Sequence, residues 1–286
     1  MNAAVTVFFL IIKVFSLYFL AVSLFGLCRR RTPEPAARLR RFAVLIAARN
    51  EESCIAGLIE SLRAQHYPPE LVDIWVLPNN CTDRTAEAAR RAGAQVLEMP
   101  ASVRSKGAAL HTAAKALLRS TRNYDAFCVF DADNEADPAF LSEMNRALDR
   151  TAIVKSRILA KNRTQAGISA CYEIYFCSAN HFLNRAREAM GLSARVIGTG
   201  FAIRRDLLET LDGFPCRTLT EDAELYAACL CRGARIGYCE TAVTYDEEPV
   251  TWRASLVQRR RWMSGILQVA RLTLPELLAN FLRQPS

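Results

Sequence analysis

The chain contains no Cys-x-x-Cys pair and no histidine spacing of the kind zinc ligands use, so its ten cysteines do not describe a structural zinc site. They are scattered through apparent helices and strands, which argues for free thiols in a reducing compartment and against a disulfide framework. No internal repeat and no low-complexity segment occurs, which excludes a solenoid. Acidic residues are the minority charge, 29 Asp and Glu against 37 Lys and Arg, for a formal net charge of +8. Much of the excess falls in one short stretch beside an apolar run, so it points to a membrane surface and not to nucleic acid.

Long apolar runs are absent but for one. Ala4 to Leu27 is almost unbroken, and as a helix its 24 residues would measure about 36 Å, enough to cross a bilayer core with some tilt. Lys13 alone interrupts it, at a cost of about 3 kcal/mol near mid-span that the surrounding Phe, Leu and Ile residues outweigh. A cleaved signal peptide is the competing reading, but no basic stretch precedes the run and no clear small-residue cleavage site follows it. Cys28 to Arg41 then carries Arg29, Arg30, Arg31, Arg38, Arg40 and Arg41 against Glu34 alone, and by the positive-inside rule this end stays in the cytoplasm. The expected organisation begins with a transmembrane anchor over 1–27 and a basic cytoplasmic linker over 28–41.

The rest of the chain is 42–271 and a short tail. Phe42 to Ala47 is an apolar run suited to a buried strand, followed by an amphipathic stretch from Glu51 to about Gln65. Strand signals recur at Val72 to Leu77, Gln95 to Glu98 and Ala126 to Phe130, with helices near Asp83 to Ala92 and Lys106 to Arg119. Such alternation implies an α/β fold with a mostly parallel central sheet flanked by helices. Asp137 and Pro138 read as an N-cap and first helical residue of a helix to about Asp149. Further on the pattern is less regular: a strand at Ile153 to Leu159, then helices at Gly167 to Met190, Glu221 to Arg232 and Thr251 to Arg271. Ligands of open sheets collect at the carboxyl ends of the strands, and Arg49-Asn50-Glu51, Asn79-Asn80-Cys81-Thr82-Asp83 and Asp131-Ala132-Asp133-Asn134 all fall there.

Asp131 and Asp133 leave a strand end with one residue between them, so a bend can bring carboxylates to a hard cation such as Mg²⁺ or Mn²⁺. Taken alone, the pair equally suits a polar loop capping the next helix. Lys106 begins a helix and can place an ammonium against phosphate, or stand as a solvated lysine. Glu221 and Asp222 follow Thr220 in a first helical turn, where acidic residues have an ordinary electrostatic purpose; alternatively Asp222 is a general base for an acceptor hydroxyl. Gln258, Arg261 and Trp262 share a helix face, where a guanidinium can neutralise a diphosphate and an indole can stack on a sugar. For Arg259 and Arg260 an interfacial role at lipid headgroups is preferred.

In this order the motifs resemble family 2 of the inverting glycosyltransferases, in the branch of cellulose, hyaluronan and poly-N-acetylglucosamine synthases and ceramide glucosyltransferases. The resemblance covers roughly Phe42 to Arg271 and implies a GT-A nucleotide-sugar-binding fold. Ala47-Ala48-Arg49-Asn50-Glu51 matches the family's opening signature, with Ala in place of proline. Asn79 stands where relatives carry an aspartate that accepts the uracil N–H, and its amide oxygen can accept the same bond without the charge. By the same resemblance Asn50, Glu51, Asn79, Lys106 and Asp131 contact the donor and Asp133 holds the metal. Asp222 is the catalytic base, and Gly200 in the turn Gly198-Thr199-Gly200-Phe201 lies beside the acceptor. Glu221, Gln258, Arg261 and Trp262 attend acceptor and diphosphate.

Relatives in this branch continue into further membrane helices, whereas this chain ends 24 residues after Trp262. Residues 272–286 are expected to form a short apolar interfacial tail, and the chain to be either part of a longer synthase or an enzyme acting on an accessible lipid. The resulting expectation is a membrane-bound transferase that moves a hexose or N-acetylhexosamine, from a UDP-sugar first, to a polysaccharide or lipid acceptor. The expected partners include a membrane subunit. Two alternatives stay open: a metal-dependent nucleotidyltransferase, and a catalytically degenerate protein that binds nucleotide-sugar beside a partner synthase.

Overall fold

A computed structural model of the chain describes residues 3–27 and 35–283. The apolar run forms α1 (Ala3–Leu24) and a short 3-10 turn, Phe25–Leu27. Along α1 nearly every described side chain is exposed; Val22 is the exception at 2%. Its root is pressed against the domain at Gly26, where a β-carbon would meet the His181 carbonyl oxygen at 2.7 Å. Arg29, Arg30 and Arg31 lie outside the described residues. The remaining arginines of the linker are engaged with the folded domain. Arg40 is buried, donates to the Asn145 carbonyl oxygen and pairs with Asp149, while Arg38 pairs with Asp125.

The domain then runs β1 (Phe42–Ala48), α2 (Ile55–Arg63), β2 (Val72–Pro78), α3 (Thr85–Arg91), β3 (Gln95–Val96), α4 (Lys106–Leu118), β4 (Ala126–Asp131), β5 (Glu135–Ala136), α5 (Phe140–Ala147) and β6 (Ile153–Ala160). Next come α6 (Gly167–Ser178), a π turn over Ala179–Arg185, α7 (Ala186–Ala189), β7 (Phe201–Arg204), α8 (Arg205–Thr210), α9 (Glu221–Cys231), β8 (Ile236–Asp246) and α10 (Trp252–Arg283). Eight strands form one sheet in the order β3-β2-β1-β4-β7-β6-β8-β5. Pairing is parallel from β3 to β4 and between β6 and β8, and antiparallel where β7 and β5 enter.

Alternation along β1 explains the two cores. Val44 and Ile46 pack with Leu58, Leu62, Phe140 and Met144 on one face, while Ala43 and Leu45 pack with Leu110, Ala114 and Leu225 on the other. Both faces of a parallel β-layer are thereby covered by helices. A third, smaller cluster joins Ile158, Tyr172 and Phe176 to Trp262.

The structure departs from the sequence expectation in the second half. Strands β5, β7 and β8 were not anticipated; β5 and β7 are too short for a periodic signal, and β8 is broken by Glu240 and Thr241, beside which the register with β6 shifts. Helix α5 starts at Phe140, because Asp137 closes a turn before it: its carboxylate accepts from the Ala139 N–H and its carbonyl from the Phe140 N–H. The tail expected from residue 272 is instead the continuation of α10, which runs through Pro275 to Arg283. Thr273 is buried and Asn280 donates to the Cys231 carbonyl oxygen, so this end docks on α9.

Candidate active site

Strand ends and helix starts meet at one edge of the sheet. Ser105 caps α4, its hydroxyl oxygen accepting from the Ala108 N–H at 3.1 Å, which sets Lys106 at the first helical position. The Lys106 ammonium donates to Asp131 Oδ1 and, at 2.6 Å, to the Gly198 carbonyl oxygen, and it lies 3.3 Å from Glu221 Oε1. A β-carbon placed on Gly198 would stand 3.4 Å from Lys106 Nζ, 3.8 Å from Asp222 Oδ2 and 3.9 Å from Asp131 Oδ2. Gly198 therefore marks the point where these groups converge, and its missing side chain leaves the space between lysine and aspartates open.

Behind them Asn134, 1% exposed, ties the strand ends together. Its amide oxygen accepts from Thr199 Oγ1 and from the Asp131 N–H, and its amide nitrogen donates to Asp246 Oδ1 at 2.6 Å and faces Asp133 Oδ1 at 3.4 Å. Thr199 Oγ1 also accepts from the Asp131 N–H at 3.0 Å. Asp246 terminates β8 and Asp131 terminates β4, so the fold brings a carboxylate from the distal half of the sheet to the Asp-x-Asp loop.

Charges at this edge are mostly negative and incompletely compensated. Burial, with Asp246 and Asp131 nearby, pushes the Asp133 carboxyl up to about 8. Burial and Asp131 raise Asp246 in the same way, and burial with Asp246 and Asp133 pushes Glu248 up to about 9. Burial also raises Glu221, against the pull of Lys106. Lys106 behaves oppositely: burial disfavours its charge, but Asp131 and Glu221 hold it above the ordinary lysine range.

This donor set suits a hard divalent cation, because it consists of carboxylate oxygens whose protons a cation would displace. Among the described residues no three His, Cys, Asp or Glu side chains are gathered as a finished cage. Asp133, with Asp131 beside it, would hold such an ion while leaving positions for diphosphate oxygens.

The other expected site residues fall into three groups. On the donor side, Asn50 has φ 61° and its amide oxygen accepts from the Thr82 N–H at 2.8 Å; Glu51 accepts from the Cys54 thiol, and its N–H donates to Thr85 Oγ1. Asn79 is buried, and its amide oxygen already accepts from Asn80 Nδ2 at 2.8 Å. On α10, Gln258 accepts from the Tyr172 hydroxyl at 2.8 Å, Trp262 packs edge-on against the Tyr172 ring, and Arg259 lies over that ring at 5.3 Å. Arg261 instead opens into a cleft of about 560 Å³ lined also by Arg253, Val257 and Gln258.

Gly200 is not at the open point. It is buried with φ 59°, and a β-carbon there would strike Ser156 Oγ at 2.5 Å and Thr244 Oγ1 at 2.6 Å, so Gly198 is the glycine that faces the site. Sequence reasoning missed Asp246, and it quoted Asn134 and Thr199 within their motifs without giving either a role. Had β8 been recognised as a strand, Asp246 at its carboxyl end would have joined the candidates by the rule that found Asp131.

The family described as "Glycosyltransferase like family 2" matches residues 40–265. The chain is similar to "Probable glycosyltransferase YdaM" of Bacillus subtilis (strain 168), 28% identical over 244 residues, 81% of this chain and 56% of that protein. It is also similar to "Beta-monoglucosyldiacylglycerol synthase" of Synechocystis sp., 26% identical over 233 residues, 78% of this chain and 47% of that protein. The chain thus spans about half the length of the curated relatives it matches. Among solved structures, it resembles mannosyltransferase PcManGT from Pyrobaculum calidifontis in complex with GDP-Man and Mn²⁺, with a TM-score of 0.69 and 21% identity over 91% of this chain and 71% of that one. Glucosyl-3-phosphoglycerate synthase from Mycobacterium tuberculosis, in complex with Mn²⁺, UDP and phosphoglyceric acid, gives 0.55 and 22% over 80% and 78%. These structural likenesses establish the fold as that of GT-A transferases.

Proposed function

The chain belongs to glycosyltransferase family 2, and from that premise we propose that it transfers a hexose or N-acetylhexosamine from a nucleotide-sugar, a UDP-sugar first, to a lipid acceptor at a membrane surface with inversion at the anomeric carbon. The observation that carries this reading is the convergence of Lys106, Asp131, Glu221 and Asp222 around Gly198. In the proposed step the acceptor oxygen forms a bond to the anomeric carbon, and the bond from that carbon to the diphosphate oxygen breaks. The bonding pair leaves with the nucleoside diphosphate, and the acceptor proton passes to the Asp222 carboxylate. Lys106 meets charge developing on the leaving group, where a pre-placed ammonium favours the transition state over the ground state. A divalent cation held by Asp133 and Asp131, when bound, would neutralise diphosphate charge.

A lipid acceptor is favoured over a polysaccharide by the surroundings of the cleft. Val257 and Met263 on α10 and Ile174 on α6 are 60–67% exposed, on helices joined through Tyr172, and α1 is rooted beside the π turn that continues α6. Such exposed apolar side chains, with the exposed Arg253, Arg259 and Arg260 on the same helix as two of them, suit a headgroup layer. The named relative that synthesises a glucosyldiacylglycerol supports the same class. The orientation proposed from the arginines keeps the domain on the cytoplasmic side.

The test is release of nucleoside diphosphate by the membrane-embedded protein, with UDP- and GDP-sugars, Mn²⁺ or Mg²⁺, and diacylglycerol or oligosaccharide acceptors. Release that requires both metal and diacylglycerol is expected. Pyrophosphate release from nucleoside triphosphates would favour a nucleotidyltransferase instead.

A further inference from the structure

Lys155 has no part in the step just described, yet among the described residues it is the largest charged side chain under 2% exposed, at 1%. It lies on β6 two residues after Ile153, on the sheet face whose apolar cluster is covered by α4 and α9, and opposite Phe201 of β7. A lysine in such a row is costly, since an ammonium removed from water needs compensating partners. Its partners are all neutral oxygens: the Thr199 carbonyl at 2.7 Å, the Gly200 carbonyl at 3.1 Å and Ser156 Oγ at 3.3 Å. Burial pushes its ammonium down to about 7, although Asp246, Asp131 and Asp222 pull the other way.

Two lysines thereby take three successive carbonyls of one turn. Lys106 holds the Gly198 oxygen from the open side, and Lys155 holds those of Thr199 and Gly200 from below. The clamp works with two backbone bonds, from the Ser156 N–H to the Gly200 oxygen at 2.9 Å and from the Gly200 N–H to the Val129 oxygen at 2.8 Å, in holding what the turn presents. Thr199 Oγ1 receives the Asp131 N–H and joins Asn134, which in turn holds Asp246. Gly200 fits because Ser156 and Thr244 leave no room for a side chain.

We propose that Lys155 is a positioning residue: it locks the Gly198–Thr199–Gly200 turn from beneath and so fixes Lys106 and Asp131 relative to Asp222. A 1 Å shift of a reacting group can cost about a hundredfold in rate, which gives this clamp a catalytic consequence without contact to substrate. The kinetic arm of the test rests on the donor and base assignments above, whereas the exchange arm does not.

The variants are Lys155→Met, which keeps the length of the side chain and removes the donors, and Lys155→Gln, which keeps neutral donors. Val154→Ala, one residue away on the opposite face, is a stability control. In the full chain in detergent or nanodiscs, Lys155→Met is expected to speed amide exchange of Thr199 and Gly200 at least tenfold with β1 unchanged. It should also lower kcat for UDP release from UDP-glucose, with Mn²⁺ and diacylglycerol, at least tenfold while the donor KM stays within threefold. Lys155→Gln should recover part of both, and Val154→Ala should lose melting temperature without losing kcat. Unchanged exchange at the turn in Lys155→Met overturns the proposal even if no sugar donor turns over. Parallel loss of kcat and stability in Val154→Ala, or failure of Lys155→Gln to fold, also overturns it, by making Lys155 a requirement of the fold alone.

Discussion

Asp133 carries the sharpest consequence at the scale of single residues. Its carboxyl is pushed up to about 8 by burial and by neighbouring carboxylates, above its value in an unfolded chain. A carboxylate raised in this way contributes stability that is fully present below its unfolded pKa, near 4, and lost as pH rises through about 8. The metal-free protein is therefore expected to lose melting temperature between pH 6 and 8. Mn²⁺ should restore it, because the ion takes the place of the proton. Calorimetric titration should show Mn²⁺ affinity tightening about tenfold per pH unit below about pH 8, for each proton displaced, and Asp133→Asn should lower that slope by the one proton Asp133 gives up. A pH-independent affinity would remove Asp133 from the cation site. Asp131, Asp133, Lys106 and Asp222 were legible as candidates through their places at strand and helix ends and the order of the motifs, since each alone had an equally ordinary reading. Asp246 and Lys155 were not, since their significance lies in what a distant strand brings next to them.

Element by element, the first half of the domain was readable because β1 and β4 are apolar up to their last residues and β2 is broken by Asp73 alone, with amphipathic helices between them. The second half was less so: β7 is four residues long and β8 is split by Glu240 and Thr241, so pairing with β6 and β4, not local pattern, determines them. Helix α10 shows the same dependence. The sequence pattern ends this helix at Arg271, but docking on α9 carries it through Pro275 to Arg283. That docking needs Gly265, where a β-carbon would strike Thr220 Cγ2 at 2.4 Å, and Gln268 accepts from the Leu219 N–H next to it. Gly265→Val should therefore push α10 off the segment that positions Asp222, costing about 1–3 kcal/mol of stability and at least tenfold in turnover. Gly57, whose β-carbon would meet nothing within 4 Å, is the control; Gly57→Ala should leave turnover unchanged and raise stability by about 0.5–1 kcal/mol, as for any helical glycine with room for a methyl group. Differential scanning and initial-rate measurements on the two variants decide the point.

For the whole molecule, the account joins a family 2 transferase domain to a single apolar helix whose surface the domain does not cover. If α1 crosses a bilayer, the protein should stay in the membrane pellet after an alkaline carbonate wash. Leu10→Arg with Leu17→Arg should release it, since a charge near mid-span costs about 3 kcal/mol on insertion scales. Retention of the double variant would mean that other surfaces hold the protein. The α/β class was legible from the alternation of apolar runs with amphipathic stretches and the family from motif order, whereas the mixed pairing of the sheet's distal half required the fold. The measurement closest to the central claim compares wild type with Asp222→Asn for nucleoside diphosphate release in acceptor-containing membranes, with donor affinity measured alongside. The account predicts a loss of about a thousandfold in turnover with donor affinity within threefold, as expected for removal of a general base; equal turnover by the two proteins would contradict it.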